Sequence, residues 1–232
     1  MLDINKHKFF LVSVLKDIYS DIELVTSLGF KGGTAQMLFY DLPRFSVDLD
    51  FNLLTRDKST PVYSKIRKIL LKYGSIKDEA EKHFSLLLVL NYVAFERNLK
   101  VEISNREFPD SYEMKNYLGI TMNVMVKSDM FAHKLCALLD RRILTNRDIF
   151  DIYYFMVQKT PVNRIIIEKR MSMNTIGYID LCIARIEKIS SKYLLNGLGD
   201  LVDISLKEFV KTKLKTETIQ LLKMYREFPL YS

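Results

Sequence analysis

The spacing of apolar residues changes along the chain and separates it into two parts. In the first part, short segments that alternate apolar and polar residues are interspersed with segments of helical spacing, which predicts strands and helices together. After Lys127 the apolar residues recur at helical spacing to the end of the sequence. The pattern therefore predicts an α/β fold of the α+β kind, with a mixed-sheet domain over 1–125 and a helical domain over 126–232.

Individual elements follow from the same spacing. Apolar residues at positions 11, 14, 15, 18, 22 and 25 predict a single helix over 7–28, which Gly29 ends. Further helices are predicted over 34–40, 61–73, 129–139, 146–157, 161–171, 175–190 and 201–228. Strands are predicted over 30–31, 46–54, 75–79, 84–93, 99–104 and 119–126.

One predicted strand carries two carboxylates. In Val47-Asp48-Leu49-Asp50-Phe51 the aspartates alternate with apolar residues, so Asp48 and Asp50 point to one face of the strand. Two like charges side by side repel each other, and the arrangement is tolerated if they are solvated or bind a cation. Carboxylate oxygens suit a hard cation such as Mg²⁺. An exposed strand with two ordinary aspartates fits the pattern equally well.

A glycine turn precedes this strand. Gly32 and Gly33 lead into the predicted helix over 34–40, and Thr34 is expected near its N-cap. Glycines at such a position let backbone N–H groups approach a phosphate at the start of a helix. No Gly-Lys-Ser/Thr follows, which excludes a P-loop. A turn without a ligand is the alternative interpretation.

The two motifs together resemble a known family. Lys31-Gly32-Gly33-Thr34, followed by the segment LPRFSVDLDF over 42–51, is similar to the signature of the AbiEii/AbiGii-type nucleotidyltransferase toxins, within the DNA polymerase β-like nucleotidyltransferase superfamily. The resemblance implies a polymerase-β-like nucleotidyltransferase domain, followed by a helical domain that completes the active site. It further implies a metal-dependent transfer of a nucleotide from an NTP to an acceptor. Several members of the family are toxins of toxin–antitoxin or phage-defence pairs, and some modify tRNA.

The resemblance assigns roles to residues of the sheet domain. It implies a third carboxylate on a neighbouring strand, which Glu102 supplies; an exposed Lys/Glu strand face is the alternative. With Asp48 and Asp50, Glu102 would bind two Mg²⁺ ions, for which Mn²⁺ could substitute. The turn formed by Gly32, Gly33 and Thr34 would hold the β- and γ-phosphates of the NTP. Ser46, two residues before Asp48, would contact a triphosphate oxygen.

A second constellation lies in the predicted helical domain. The segments 133–138 (HKLCAL) and 147–154 (RDIFDIYY) resemble later motifs of the same family. The resemblance makes Lys134 a cation near the triphosphate, Asp148 a residue that positions Lys134 or contacts the nucleotide, and Arg147 a ligand of phosphate or acceptor RNA.

Each of these residues has a structural alternative. Lys134 could extend from an apolar helix to solvent. Asn146 could cap a helix whose first turn favours an acidic Asp148 through the helix dipole. Asp151, one turn later, fits a structural role equally well. Arg44 is interpreted with equal weight as a phosphate contact or as a solvated loop residue.

The composition limits the partners. The chain has 35 Lys and Arg against 28 Asp and Glu, a net charge of +7, which permits binding to nucleic acid. No apolar segment approaches the ~18–20 residues of a membrane helix, and the apolar run 9–15 lacks the pattern of a signal peptide. Cys136 and Cys182 lie in apolar helical patterns and are predicted to be buried free thiols. A cytoplasmic protein without membrane contact is expected.

Together these features predict an acceptor and a partner. The basic charge and the family favour the 3′ hydroxyl of an RNA, in particular a tRNA acceptor end, and a cognate antitoxin protein as partner. Three alternatives remain: transfer to a protein hydroxyl, as in AMPylation; transfer to a small molecule; and an inactive relative that binds only nucleotide or a partner.

Overall fold

The computed structural model describes residues 3–55, 58–93 and 97–232. The chain forms two compact units. The sheet unit comprises Met1–Asp41, Phe45–Glu107 and Tyr112–Met125. The helical unit comprises Leu42–Arg44, Phe108–Ser111 and Val126–Ser232, so two short segments from the first half of the chain belong to it.

At the start of the sheet unit the spacing predicts one long helix, whereas the structure has two shorter ones. Its four named helices are α1 (Ile4–Tyr19), α2 (Ile22–Ser27), α3 (Gly32–Phe39) and α4 (Ser59–Leu70). The single helix predicted over 7–28 was wrong, because Asp21 begins a new one. Its side chain accepts hydrogen bonds from the amides of Glu23 and Leu24, which is the N-cap interaction that starts α2.

The strands of the sheet unit form one mixed sheet, as predicted. Among the described residues the strands are β1 (Leu28–Lys31), β2 (Asp48–Leu53), β3 (Ser75–Lys82), β4 (Ser85–Asn91), β5 (Leu99–Ser104), β6 (Tyr112–Tyr117) and β7 (Ile120–Met125). Their order is β3-β4-β5-β2-β1-β7-β6. β2 pairs in parallel with β5, and β1 with β7, while the other neighbours are antiparallel. The prediction missed β6, an edge strand without a buried residue.

The core of the sheet unit fixes which face of β2 carries the carboxylates. Leu49 and Phe51 are fully buried, as are Phe30 on β1 and Leu15 on α1. Each such side chain contributes ~1.5–3 kcal/mol by leaving water. Because side chains alternate along a strand, burying Leu49 and Phe51 turns Asp48 and Asp50, which alternate with them, to the other face.

A buried histidine links α1 to the start of β2. His7 is fully buried, with Nε2 2.9 Å from the carbonyl oxygen of Val47 and Nδ1 2.6 Å from the hydroxyl of Tyr92. A carbonyl oxygen can only accept, so the Nε2–H donates to Val47 and the Nδ1 accepts from Tyr92. This pair of bonds fixes the backbone one residue before Asp48.

The helical unit matches the predicted helices except near its end. Its helices are α5 (Lys127–Asp140), α6 (Asn146–Val157), α7 (Arg164–Met171), α8 (Thr175–Glu187), α9 (Ile204–Thr212) and α10 (Leu214–Glu227), with short 3₁₀ turns at Ser191–Tyr193 and Gly199–Leu201. The helix predicted over 201–228 is divided at Lys213. Cys136 and Cys182 are buried and free, which confirms that prediction. No helix in the described ranges is both long and apolar enough to cross a membrane.

Candidate active site

The register of two parallel strands brings three carboxylates to one face of the sheet. Asp50 on β2 pairs with Glu102 on β5, and Asp48 pairs with Lys100. Paired residues on neighbouring strands project from the same face, and the strands lie ~4.8 Å apart. Asp48, Asp50 and Glu102 therefore occupy one face, and each is half-buried.

Two of these carboxylates, those of Asp48 and Glu102, differ from ordinary ion-paired ones. Within the part of the chain that the structure describes, no group donates a hydrogen bond to the side chain of Asp48 or Glu102. The described residues also contain no group of three His, Cys, Asp or Glu side chains that could hold a metal ion. Mg²⁺ usually keeps several waters and takes one or two carboxylates plus substrate phosphates. Asp48, Asp50 and Glu102 supply oxygens of the kind that Mg²⁺ prefers, but among the described residues they do not form a preassembled three-ligand site.

The glycine turn lies directly against one carboxylate. Gly32 has φ +79°, a conformation that L side chains rarely adopt, and a Cβ at this position would lie 2.2 Å from Oδ2 of Asp50. Only glycine therefore allows the start of α3 to approach Asp50 so closely. The first amides of a helix have no partner within the helix, and Lys31, the N-cap residue, forms no side-chain cap. The turn thus presents backbone N–H groups, a favourable environment for an anion, beside a carboxylate.

Thr34 and Ser46 are buried rather than open to a ligand. Thr34 lies in the first turn of α3, three residues after the N-cap residue Lys31. Its hydroxyl donates to the backbone oxygen of Asp48 at 2.5 Å, which joins α3 to β2. Ser46 lies before the first residue of β2, although the strand was predicted from 46, and it is 5% exposed.

The second constellation forms an ion-pair network in the helical unit. The Nζ of Lys134, on α5, lies 3.0 Å from Oδ1 of Asp148 and 2.7 Å from Oδ2 of Asp151. The two aspartates are three residues apart on α6, which places them on one face of the helix. Both are buried, and the side chain of Lys134 is 16% exposed. Lys134 therefore reaches two anions within the fold rather than extending to solvent.

Arg44 completes the network from a distant part of the sequence. Its Nε and Nη2 donate to the two carboxylate oxygens of Asp151 at 2.6 and 2.7 Å. The side chain of Arg44 is 3% exposed and that of Asp151 is fully buried. Neither sequence interpretation of Arg44 included this pair, and its burial contradicts the solvated one.

Two further residues that the sequence reasoning missed surround Asp148. The hydroxyl of Thr145 donates to Oδ2 of Asp148 at 2.5 Å, and Nε of Arg141 lies 3.2 Å from the same oxygen. The N-cap of α6 is Thr145 and not Asn146 as predicted. The sequence did contain a signal for this N-cap, because a threonine stands directly before the predicted helix and threonine is favoured at that position.

The network fixes the charges of its members. Burial alone would lower the pKa of the Lys134 ammonium, but Asp151 and Asp148 outweigh it and raise this pKa above its usual value. Burial likewise opposes the charged form of Asp148, and Lys134 and Arg141 overcome it, so the pKa of Asp148 is lowered. Lys134 is accordingly a cation and Asp148 an anion at neutral pH.

The site residues thus fall into two groups. Asp48, Asp50 and Glu102, with the glycine turn, belong to the sheet unit, and Lys134 and Asp148 belong to the helical unit. Arg147, also in the helical unit, is half-buried, and among the described residues nothing pairs with its guanidinium.

Comparisons with known proteins identify relatives at the level of family and fold. A family model described as "Nucleotidyl transferase AbiEii toxin, Type IV TA system" matches residues 13–175, more than half of the chain. A candidate nucleotidyltransferase from H. pylori superposes with a TM-score of 0.66 at 20% identity, covering 97% of this chain and 95% of its own. JHP933 from Helicobacter pylori gives a TM-score of 0.64 at 19% identity, covering 99% of this chain and 95% of its own. These two similarities show a shared fold. No curated protein gives a significant match.

Proposed function

This chain belongs to the AbiEii family of nucleotidyltransferase toxins, and from that premise we propose that it transfers a nucleotide from an NTP to an acceptor hydroxyl in a metal-dependent reaction. The observation that carries the proposal is the register of β2 and β5, which places Asp48, Asp50 and Glu102 on one face of the sheet. These three side chains are the proposed ligands of Mg²⁺, with two ions expected and Mn²⁺ as a substitute. When bound, the ions would offset the charge of the phosphate oxygens and favour deprotonation of the attacking hydroxyl.

The chain's own residues have distinct roles in this proposal. The amides of Gly32 and Gly33 at the start of α3 receive phosphate oxygens of the NTP. Thr34 keeps that helix start against β2 through its bond to the Asp48 carbonyl. The ammonium of Lys134 stabilises negative charge on the nucleotide phosphates, and Asp148 orients it. Arg147 contacts phosphate of the nucleotide or of the acceptor.

The reaction is a substitution at the α-phosphorus. The acceptor oxygen forms a new bond to this phosphorus and loses its proton, the bond from the α-phosphorus to the bridging oxygen of the β-phosphate breaks, and pyrophosphate leaves. Catalysis of such transfers depends mainly on positioning and on electrostatic stabilisation. In this proposal both are supplied by the residues named above.

The proposed acceptor is the 3′ hydroxyl of an RNA, with a tRNA acceptor end as the first candidate. The net charge of +7 supports a polyanionic substrate. Because the family consists of toxins of type IV toxin–antitoxin systems, we also propose that a cognate antitoxin counteracts the activity in the cell.

The experiment is incubation of the purified chain with total tRNA, Mg²⁺ and each α-³²P-labelled NTP in turn. Asp48→Ala should abolish the label. Asp78→Ala is the matched control, because Asp78 lies on the edge strand β3 and is exposed.

Each result has a defined meaning. Label on RNA that disappears in Asp48→Ala but not in Asp78→Ala supports the proposal and identifies the nucleotide. Label on protein instead of RNA would move the acceptor to a hydroxyl side chain. Absence of label with every NTP, while nucleotide still binds, would contradict transfer to RNA and favour a small-molecule acceptor or an inactive relative.

A further inference from the structure

The carboxylate of Asp151 links two cations in the helical unit. Its Oδ1 accepts from Nε of Arg44, and its Oδ2 accepts from Nη2 of Arg44 and lies 2.7 Å from Nζ of Lys134. Both oxygens are thus engaged, and one of them is shared by the two cations. The side chain of Asp151 is fully buried.

The geometry of the Arg44 contact restricts how Asp151 can move. Two parallel N–H···O bonds between a planar guanidinium and a carboxylate fix the plane and the rotation of the carboxylate, which a single contact does not. Since Oδ2 of Asp151 also contacts Lys134, fixing this plane fixes the point at which Lys134 is held. A lysine in place of Arg44 would keep the charge but lose the second parallel bond.

The charges of the network are balanced only when Arg44 is included. Lys134 lies between Asp148 and Asp151, which alone would give one positive and two negative charges in a buried place. Arg44 adds the second positive charge from within the fold. Arg141 also lies beside Asp148, but its side chain is 49% exposed, so solvent and salt screen its charge. Buried charges persist only when they are paired and hydrogen-bonded.

From these contacts we infer that Arg44 and Asp151 are positioning residues for Lys134, holding its ammonium at one point as a fixed cation for the phosphates of the nucleotide. This inference rests on the proposed function. A protonated lysine has three N–H donors, and Asp148 and Asp151 engage two of them, which leaves one for a ligand. Lys134 therefore acts through its charge and does not accept a proton during the reaction.

The test compares Arg44→Lys and Asp151→Asn with wild type in the transfer assay. Asp151→Asn keeps the shape of the side chain and removes its charge, and Arg44→Lys keeps the charge and removes the paired geometry. Because small displacements of positioned groups cost up to about 100-fold in rate, kcat should fall roughly 10- to 100-fold in both, with a smaller change in KM. The matched control is Arg226→Lys, the same substitution at a surface ion pair with Asp180, and it should retain wild-type kcat.

A second readout does not depend on activity. The rate at which acetic anhydride acetylates Lys134, followed by peptide mass spectrometry across a pH series, reports how readily this ammonium loses its proton. Asp151→Asn removes one of the two carboxylates that keep Lys134 charged, so its labelling curve should shift to lower pH. The alkaline limb of the kcat profile should shift in the same direction. A purely structural role for Asp151 would leave the alkaline limb of the kcat profile unchanged in molecules that remain folded.

The outcomes separate this inference from the proposed function. Reduced kcat in both variants while they remain folded under the assay conditions, with a shifted labelling curve in Asp151→Asn, supports it. Wild-type kcat in a folded Arg44→Lys, or an unchanged labelling curve in a folded Asp151→Asn, overturns it. If Asp151→Asn does not fold, Asp151→Glu replaces it, because the longer side chain displaces the carboxylate and should lower kcat as well. If wild type transfers no nucleotide to any acceptor, the proposed function fails. The labelling curves still decide whether Asp151 controls the protonation of Lys134.

Discussion

The carboxylates of the candidate site in the sheet unit and those of the helical unit differ in the hydrogen-bond donors around them. In the sheet unit, Asp48 and Glu102 receive no hydrogen bond from the described residues, and the register of two strands places them with a third carboxylate on one face. In the helical unit, the carboxylates of Asp148 and Asp151 are each engaged by at least two donors of the fold itself. Asp48 and Glu102 thus keep acceptor capacity that the proposed cation would use, whereas Asp148 and Asp151 use their charge to hold a lysine. The two groups thus differ both in burial and in the donors that the fold places around each carboxylate.

The largest expected effect separates activity from stability in the sheet unit. Glu102→Gln should lower kcat/KM by about 100-fold or more, since it removes one proposed ligand of the metal. It should change the free energy of unfolding by no more than about 0.5 kcal/mol, because no group of the described fold depends on the Glu102 carboxylate. Transfer kinetics and urea unfolding measure the two quantities.

The control for this prediction is Glu81→Gln on the exposed edge strand β3. It removes the same charge, but Glu81 pairs with Leu86 across the sheet rather than with an acidic residue. Both activity and stability should therefore be retained. A Glu102→Gln variant that loses stability in proportion to activity would show that Glu102 is a structural residue, and the comparison would not hold.

A combined loss of stability and activity is expected for the helical unit. Lys134→Met leaves Asp148 and Asp151 buried without their shared cation, and breaking one partner out of a buried ionic network costs about 3–5 kcal/mol. The free energy of unfolding should fall by about this amount, together with the activity. Lys72→Met is the comparison, because Lys72 pairs with Asp17 at the surface and its side chain is 61% exposed. Such surface pairs contribute at most about 1 kcal/mol.

The sequence predicted the features that depend on local patterns and missed those that depend on contacts between distant residues. The alternation around Asp48 and the apolar face of the strand over 99–104 are local patterns, and both strands were found from them. The pairing of Asp50 with Glu102 required the register of two strands, which alternation alone does not determine. The Arg44–Asp151 pair joins residues 107 positions apart, and no local period relates them. The resemblance to a family therefore located the candidate functional segments, while the contacts on which the proposed role of Arg44 rests needed the fold.

Local signals also failed where side chains override the apolar pattern. The helix predicted over 7–28 ignored Asp21, whose carboxylate caps a new helix. The strand β6 has no buried residue, so it carries no alternation that reads as a half-buried strand. Both errors arise because capping and edge pairing depend on polar contacts rather than on hydrophobic periodicity.

Substitutions at two glycines test how closely the glycine turn must approach Asp50. Gly32→Ala and Gly119→Ala introduce a side chain at almost the same backbone angles, φ +79° and +81°. The backbone conformation alone should therefore cost each variant about 1–2 kcal/mol of stability. Only at Gly32 does the new Cβ meet Asp50, whereas at Gly119 nothing lies within 4 Å. Gly32→Ala should thus lower activity at least about tenfold, and Gly119→Ala should not; equal activities would show that this approach is not required.

The pH dependence of stability should come from the helical network. The pKa of Asp148 is lowered on folding, so its contribution is complete above the unfolded value of about 4 and is lost as the pH falls through the folded value. The pKa of Lys134 is raised, so its contribution is complete below about 10.4 and is lost as the pH rises through the folded value. Urea midpoints of wild type should be flat with respect to these two groups between those limits and should decline outside them.

Asp148→Asn provides the check on the acid side. The variant cannot lose the charge of Asp148 on acidification, so its midpoint should fall less steeply below about pH 4 than that of wild type. Asp180→Asn, which removes a surface carboxylate that pairs with Arg226, should keep the wild-type slope. Identical acid slopes for Asp148→Asn and wild type would mean that the charge of Asp148 is not coupled to folding.

The smallest expected effect concerns the bond that joins α3 to β2. Thr34→Val keeps the shape of the side chain and removes the hydroxyl that donates to the Asp48 carbonyl, which should cost about 1 kcal/mol. Thr34→Ser keeps the hydroxyl and should retain activity. If this bond also holds the glycine turn at its working distance from the carboxylates, Thr34→Val will lower kcat more than its stability loss explains, whereas Thr34→Ser will not. Equal kcat in the two variants would show that the bond stabilises the sheet unit but does not position the turn, and that the close approach depends on Gly32 alone.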